Sequence, residues 1–242
     1  MEGIIDYDRM HFVFPKKEIA EHLFVMYEKE SVESEAKAII EQILHKTAEF
    51  VKRELFPYRP PPTTVVIVNE HPRIGISKRE VTREPILWML NQSAEENAWF
   101  LGHEWFETFV LHQFGDGAPR WLVETIAQMG AYRLCKFALG AGAERVGLEK
   151  YLSNGTLPFE ELLEWRRPVF LGEASEEETY AMIEKYIVEE HQTSREAMLY
   201  ATALRFGLER ICQNISLGSL SEQLAETASS ALFERINHST GV

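Results

Sequence analysis

The sequence predicts an α+β protein that is mostly helical. Two short runs in the front half, Thr63–Val68 and residues 85–90, are apolar and have the length of strands. Most other segments space their apolar residues as helices do. Beyond about residue 140 every candidate element is helical. We therefore expect a mixed front half over residues 1–139 and an all-helical part over residues 140–242.

Three segments have the composition of strands. Residues 10–14 are a short apolar run that Pro15 ends. The segment Thr63–Val68 reads TTVVIV, and its β-branched residues next to prolines predict a buried strand. Residues 85–90 read PILWML, which is a second run of strand length.

Two helices are expected between these strands. Residues 16–27 place Ile19 and Leu23 four apart, as a helix does. Residues 32–56 carry a longer apolar stripe. The prolines at 60–62 stop that helix, because proline lacks the amide proton and clashes with the preceding turn.

Ser93 and Glu96 form the signature of a capping box, which predicts a helix start. That helix should run to residue 114 and end at Gly115, where a turn leads into a helix near Arg120–Leu139. Further helices are expected at residues 144–151, 158–165, 175–190, 194–212 and 219–236.

Composition restricts the classes of partner. The formal net charge is −13, which argues against nucleic acid and against anionic lipid, because both require clustered Lys and Arg. The first residues have no signal-peptide pattern, and no apolar stretch reaches the roughly 18 residues of a membrane helix. Cys135 and Cys212 are expected to be buried free thiols rather than a disulfide. These features predict a cytoplasmic protein.

One segment carries a chemical signal. His103 and Glu107 are four residues apart on the predicted helix, about 40° apart around its axis, and Glu104 lies beside them. In zinc hydrolases of the H-E-x-x-H type the two histidines bind metal and the glutamate is the general base. An H-E-x-x-E pattern also arises on solvated helix faces. This helix is largely apolar, however, and buried carboxylates require a cation or hydrogen bonds.

The next helix strengthens the signal. Residues 119–127 read PRWLVETIA, which resembles the gluzincin signature P-x-W-L-x-E-G-x-A. The chain thus resembles the gluzincin (peptidase MA-like) zinc metallopeptidases over about residues 10–212, although only the two metal helices are specific. The resemblance implies a small zincin-like sheet beside the metal-site helices. It also implies that the strand at 85–90 edges the cleft and pairs with substrate backbone.

The resemblance implies a role for each site residue. His103, Glu107 and Glu124 would hold the metal, and Glu104 would take a proton from the metal-bound water. The substrate would be a peptide or protein. Tyr200 lies where a tyrosine of some members donates to the developing oxyanion, although a core role is the more frequent one for such a residue.

Two positions depart from the family pattern. Glu107 replaces the second histidine, and Thr125 replaces the glycine after the third ligand. With two carboxylates a zinc centre would be neutral rather than +1, so it would acidify its water less. The harder ligand set also relaxes the preference for zinc toward Mn²⁺ or Fe²⁺. A degenerate site that holds no metal is a further possibility.

Three functions therefore remain open. The first is a metal-dependent hydrolase of peptide bonds. The second is an inactive gluzincin-fold protein that binds a peptide or protein partner in the same cleft. The third is a helical interaction module with no ligand site. Metal content separates the first from the other two.

Overall fold

The computed structural model describes residues 17–27, 32–55, 63–68, 86–90, 92–114, 118–165, 194–211 and 233–234. These residues form a small sheet and a larger set of packed helices, so the predicted α+β class with mostly helix is confirmed. Within them, no helix combines the length and apolar character that crossing a membrane requires.

The sheet has four strands, β1 (Lys17–Ala20), β2 (Leu23–Tyr27), β3 (Thr63–Val68) and β4 (Ile86–Met89), in that spatial order. The first pair is antiparallel, and β3 is parallel to both β2 and β4. The predicted strands at 63–68 and 85–90 are confirmed. The predicted strand at 10–14 lies outside the described residues.

The helix predicted for residues 16–27 is wrong. This segment is the β1–β2 hairpin, and His22 at its turn has a φ of 64°. In β2 the buried Leu23 and Val25 alternate with the partly exposed Phe24, which is the two-residue period of a strand. The pairing of β2 with β3 stabilises this segment as a strand. The four-residue spacing of Ile19 and Leu23, on which the helix prediction rested, fits a strand as well as a helix.

Helix α1 (Ser34–Glu54) joins β2 to β3 and lies within the predicted range 32–56. Its buried stripe includes Ile43, Leu44 and Phe50. The carboxylate of Glu54 accepts a hydrogen bond from Arg133 at 2.7 Å, which ties the end of this helix to the second of the two predicted metal helices.

Those two helices are α2 (Ala94–Phe114) and α3 (Arg120–Leu139), as the sequence predicts. The capping box is present, because the Ser93 amide donates to Glu96 at 3.0 Å and the Glu96 amide donates to the Ser93 hydroxyl at 3.1 Å. The predicted turn at Gly115 lies outside the described residues.

The helices α2 and α3 are antiparallel and unusually close. Trp99 donates a hydrogen bond to Gln128, and His103 lies against Glu124. A later residue of α2 thus contacts an earlier residue of α3, which is the pattern of antiparallel helices. A Cβ at Gly102 would lie 2.6 Å from the Ala131 Cα, which leaves no room for a side chain at this contact. This close approach brings side chains of both helices into one cluster.

The described back half is helical, with α4 (Arg145–Leu152) and α5 (Ser194–Phe206) near the predicted positions. The predicted helix at 158–165 is a 3₁₀ helix, Phe159–Glu164, and α5 continues as the π-helical segment Gly207–Ile211. The predicted helix at 175–190 lies outside the described residues. The one at 219–236 is described only at residues 233–234, which are helical.

One buried apolar cluster links the two parts of the chain. Phe206 stacks on Phe233 with 5.1 Å between ring centroids, and Trp121 of α3 meets both rings edge-on. The same cluster continues to Val25 and Val65 of the sheet. The division at residue 139 stays a prediction.

Candidate metal centre

The predicted site residues meet at the contact between α2 and α3. His103 Nε2 lies 3.6 Å from an oxygen of Glu124 and 3.9 Å from an oxygen of Glu107. Donor atoms of His103, Glu104 and Glu107 all lie within 4.8 Å of one another. The expected approach of Glu124 to His103 is therefore confirmed, whereas the role of these residues as ligands stays a prediction.

These separations suit a shared ion. Two donors bonded to one tetrahedral Zn²⁺ at about 2.1 Å are about 3.4 Å apart. The distance from His103 to Glu124 is within a few tenths of an ångström of this value, and the distance from His103 to Glu107 exceeds it by about half an ångström. Small side-chain rotations would close these differences between His103 and each carboxylate. The compact donor group is His103, Glu104 and Glu107, which Glu124 approaches at His103.

The cluster is buried enough to make its charge costly. Glu107 and Glu124 have side-chain exposures of 9% and 8%, and His103 has 13%. The Nδ1 atom of His103 is buried and accepts or donates no hydrogen bond within the described residues. Burial penalises a charge that no partner compensates, so buried carboxylates are found with cations or hydrogen-bond donors.

Arg120 is the main cation beside the cluster. Its Nε lies 3.5 Å from the carboxylate of Glu124, which follows Arg120 by one turn of α3. Its other end donates to Glu196 of α5 at 2.6 Å and to the hydroxyl of Tyr200 at 3.3 Å. One guanidinium is thus shared by two carboxylates, and it approaches Oε1 of Glu124, whereas His103 approaches Oε2.

Trp165 also contacts Arg120 and Glu196. Its ring nitrogen donates to both oxygens of Glu196, at 3.1 and 3.2 Å, and its ring lies 4.5 Å from the Arg120 guanidinium carbon. The guanidinium therefore has a fixed position between an aromatic face and a carboxylate. Rigid support of this kind orients a ligand-bearing side chain.

Thr125, one of the two departures from the family pattern, is accommodated by a glycine elsewhere. Thr125 is fully buried, and a Cβ built on Gly207 would lie 3.3 Å from its methyl carbon. A Cβ at the same position would lie nearer still to Met129, at 2.6 Å, so Gly207 gives room to both side chains.

Tyr200 lies beside the cluster, with its ring centroid 6.5 Å from that of His103. The tyrosine hydroxyl accepts the hydrogen bond from Arg120. Tyr151 of α4 lies 6.3 Å from Tyr200. Burial raises the pKa of Tyr151, and the carboxylates of Glu124 and Glu104 raise it further against the effect of a hydrogen bond with Gln128.

The sequence interpretation missed Arg120, Glu196, Trp165 and Tyr151. The signal for Arg120 was its position four residues before Glu124, on the same face of the helix. Glu196 has the same spacing to Tyr200. The contacts between α3 and α5 that unite the two pairs join distant parts of the chain, and no local pattern records them.

Comparison with known proteins assigns no family to this chain. No protein-family model matches it, and neither a curated protein nor a solved structure does. Its function must therefore be inferred from the residues and geometry described above.

Proposed function

We propose that this chain is a metal-dependent hydrolase of peptide bonds with a gluzincin-like site. The single observation that carries the proposal is the convergence of one imidazole and carboxylates from two helices. His103 Nε2 lies 3.6 and 3.9 Å from Glu124 and Glu107, and Glu104 belongs to the same cluster. The cytoplasmic location expected from the sequence belongs to the same proposal and accords with Cys135 being a free thiol.

The proposed ligands are His103, Glu107 and Glu124. A divalent ion held there would polarise a scissile carbonyl and acidify a water molecule. Zinc is the first candidate, and the two carboxylates extend the range to manganese and iron. Arg120 supports this ligand set by holding the Glu124 carboxylate in place at 3.5 Å.

Glu104 is the proposed general base. It lies next to His103 on α2, and it is partly exposed on a pocket, so water and substrate can reach its carboxylate. A carboxylate in this position accepts a proton from the attacking water and returns it to the leaving amine. The proposed ligands Glu107 and Glu124 are more deeply buried.

A second candidate is an inactive protein that binds an extended peptide in the same cleft. Two observations favour it. Glu107 stands where the catalytic family has histidine, and β4 pairs only with β3 within the described residues while it contacts α2. A strand edge that has no partner among the described residues can add the backbone of a peptide as a further strand.

Hydrolysis of a peptide library by the untagged chain separates the two candidates. We expect turnover that EDTA abolishes and that zinc or manganese restores. Glu104→Gln should lower turnover by at least about a hundredfold because the general base is lost, with metal content unchanged. Glu149→Gln, an exposed change on α4, is the matched control and should leave turnover unaffected.

Turnover that survives both EDTA and Glu104→Gln would contradict the hydrolase proposal. Saturable peptide binding without any turnover would favour the second candidate.

A further inference from the structure

A pocket of about 400 Å³ adjoins the candidate metal centre. His103 and Glu104 belong to its wall, so the pocket and the metal cluster share a border. Ligand sites of this size are concave and mostly apolar, with a few polar groups that fix orientation. Most of the residues that line it belong to α2, α4 and α5.

Four rings of the pocket wall follow one another from Trp99 to His103 of the cluster. Trp99 stacks on Tyr151 with 5.8 Å between centroids, Tyr151 lies 6.3 Å from Tyr200, and Tyr200 lies 6.5 Å from His103. Phe100 also lines the pocket. A bound group that enters from the metal centre therefore meets aromatic faces and edges.

The Trp99 ring is held in place by its packing and by a hydrogen bond. Trp99 donates to Gln128 at 3.1 Å, and its indole lies against α4 at a residue without a side chain. A Cβ at Gly147 would lie 2.0 Å from the Trp99 ring. A wall fixed in this way loses little conformational entropy when a ligand binds.

Besides Glu104, the pocket wall carries two side chains of opposite charge, Glu96 and Lys150. Glu96 lies in the wall, but its carboxylate is bound by the amide and hydroxyl of Ser93, and these hydrogen bonds lower its pKa. Lys150 is the basic residue of the wall, and its charge also lowers the Glu96 pKa, so the two residues oppose each other's field. Neither an anionic nor a cationic side chain gains a dedicated partner from this pair.

We propose that this pocket is the subsite for an aromatic side chain of the peptide substrate, next to the bond held at the metal centre. The proposal rests on the proposed function for the identity of the substrate as a peptide. Aromatic rings attract one another in edge-to-face and offset arrangements, and this attraction adds to the free energy gained by burying their surface. This pocket supplies such contacts from several sides.

The test measures binding to the metal-free chain, after removal of metal with a chelator, by NMR or calorimetry. The probes are N-acetyl-phenylalanine amide, N-acetyl-leucine amide and N-acetyl-alanine amide, which differ only in the side chain. We expect a Kd on the order of 1 mM for the phenylalanine probe, from the usual affinity per ligand atom. The leucine probe should bind about twofold to tenfold more weakly, and the alanine probe more weakly still.

A pair of variants locates the binding. Val146→Trp and Ala197→Trp place a large side chain in the pocket and leave the four rings unchanged. Each should lower the affinity for the phenylalanine probe at least about tenfold. Glu149→Trp adds the same side chain to an exposed position of α4 outside the pocket, so binding should be unchanged.

The outcomes distinguish the two proposals. Equal binding of the three probes, no binding of any probe, or unchanged affinity in both pocket-filling variants would overturn the subsite, whatever the metal content. Selective binding of the phenylalanine probe by a chain that takes up no metal when zinc or manganese is added back would support the subsite and contradict the hydrolase.

Discussion

Replacing Glu107 tests the ligand set most sharply, because the residue is both one of the two departures from the gluzincin pattern that the sequence resembles and a member of the cluster. Its carboxylate lies 3.9 Å from His103 Nε2 and is 9% exposed. A unit charge removed about 4 Å from a unit positive charge in such a partly screened site changes their interaction by about 4 kcal/mol, and a ligand bonded to a divalent ion at about 2 Å loses more. Glu107→Gln, which keeps the size of the side chain, should therefore lower zinc affinity by at least roughly a thousandfold.

Glu107→His should have a different effect. It keeps a ligand and makes a site with two imidazoles and one carboxylate, with a net charge of +1 when Zn²⁺ is bound. Imidazole suits zinc, whereas carboxylate suits manganese. We expect zinc affinity above that of the wild type, manganese affinity below it, and a greater acidity of the bound water, so that peptide hydrolysis appears or increases.

The assay for both variants is a competition titration of Zn²⁺ and Mn²⁺ against a chromophoric chelator, with circular dichroism as the control for folding. Adding Glu104→Gln to the Glu107→His chain should abolish hydrolysis and leave metal bound. Equal zinc affinities of the wild type, Glu107→Gln and Glu107→His would refute the role of Glu107 as a ligand.

Two further predictions concern the packing around the site. Gly102→Ala should lower the free energy of unfolding by about 1–3 kcal/mol, because its Cβ would meet the Ala131 backbone at 2.6 Å. The same change in an open helix would stabilise by about 1 kcal/mol, so thermal unfolding gives opposite signs for the two cases. Burial raises the pKa of the Cys135 thiol to about 12, so in a Cys212→Ala chain it should resist thiol reagents at pH 8 until the protein unfolds. Because the unfolded thiol ionises near pH 8.5, the contribution of Cys135 to stability should hold below that pH and decline as the pH rises toward 12. Rapid labelling of the folded chain, or unchanged stability of Gly102→Ala, would contradict these expectations.

The parts of the fold that were predicted correctly have local causes. Ser93 and Glu96 carry their own hydrogen bonds, so the start of α2 follows from four consecutive residues. The β-branched run Thr63–Val68 is a strand in the sheet, as expected. The spacing of His103, Glu107 and Glu124 likewise indicated which side chains could meet, once two antiparallel helices were assumed.

The parts that were missed depend on tertiary contacts. Leu23 and Val25 belong to a strand because β2 pairs with β3, and their spacing also fits a helix. Arg120 of α3, which lies beside Glu124, donates a hydrogen bond to Glu196 of α5, and the two residues are 76 positions apart in the chain. The length and polarity of a segment do not encode such a contact.

The central claim is that the cluster around His103 binds a divalent metal. Zinc should be titrated into the chelator-stripped, untagged chain while thermal unfolding and bound metal are measured, with His103→Ala as the matched control. We expect about one metal per chain. At a free zinc concentration of about 100 Kd, the stabilisation should be about 2.7 kcal/mol, which corresponds to about 5–11 °C in Tm for a chain of this size. No stoichiometric metal and no change in Tm, or the same change in the wild type and in His103→Ala, would contradict the account.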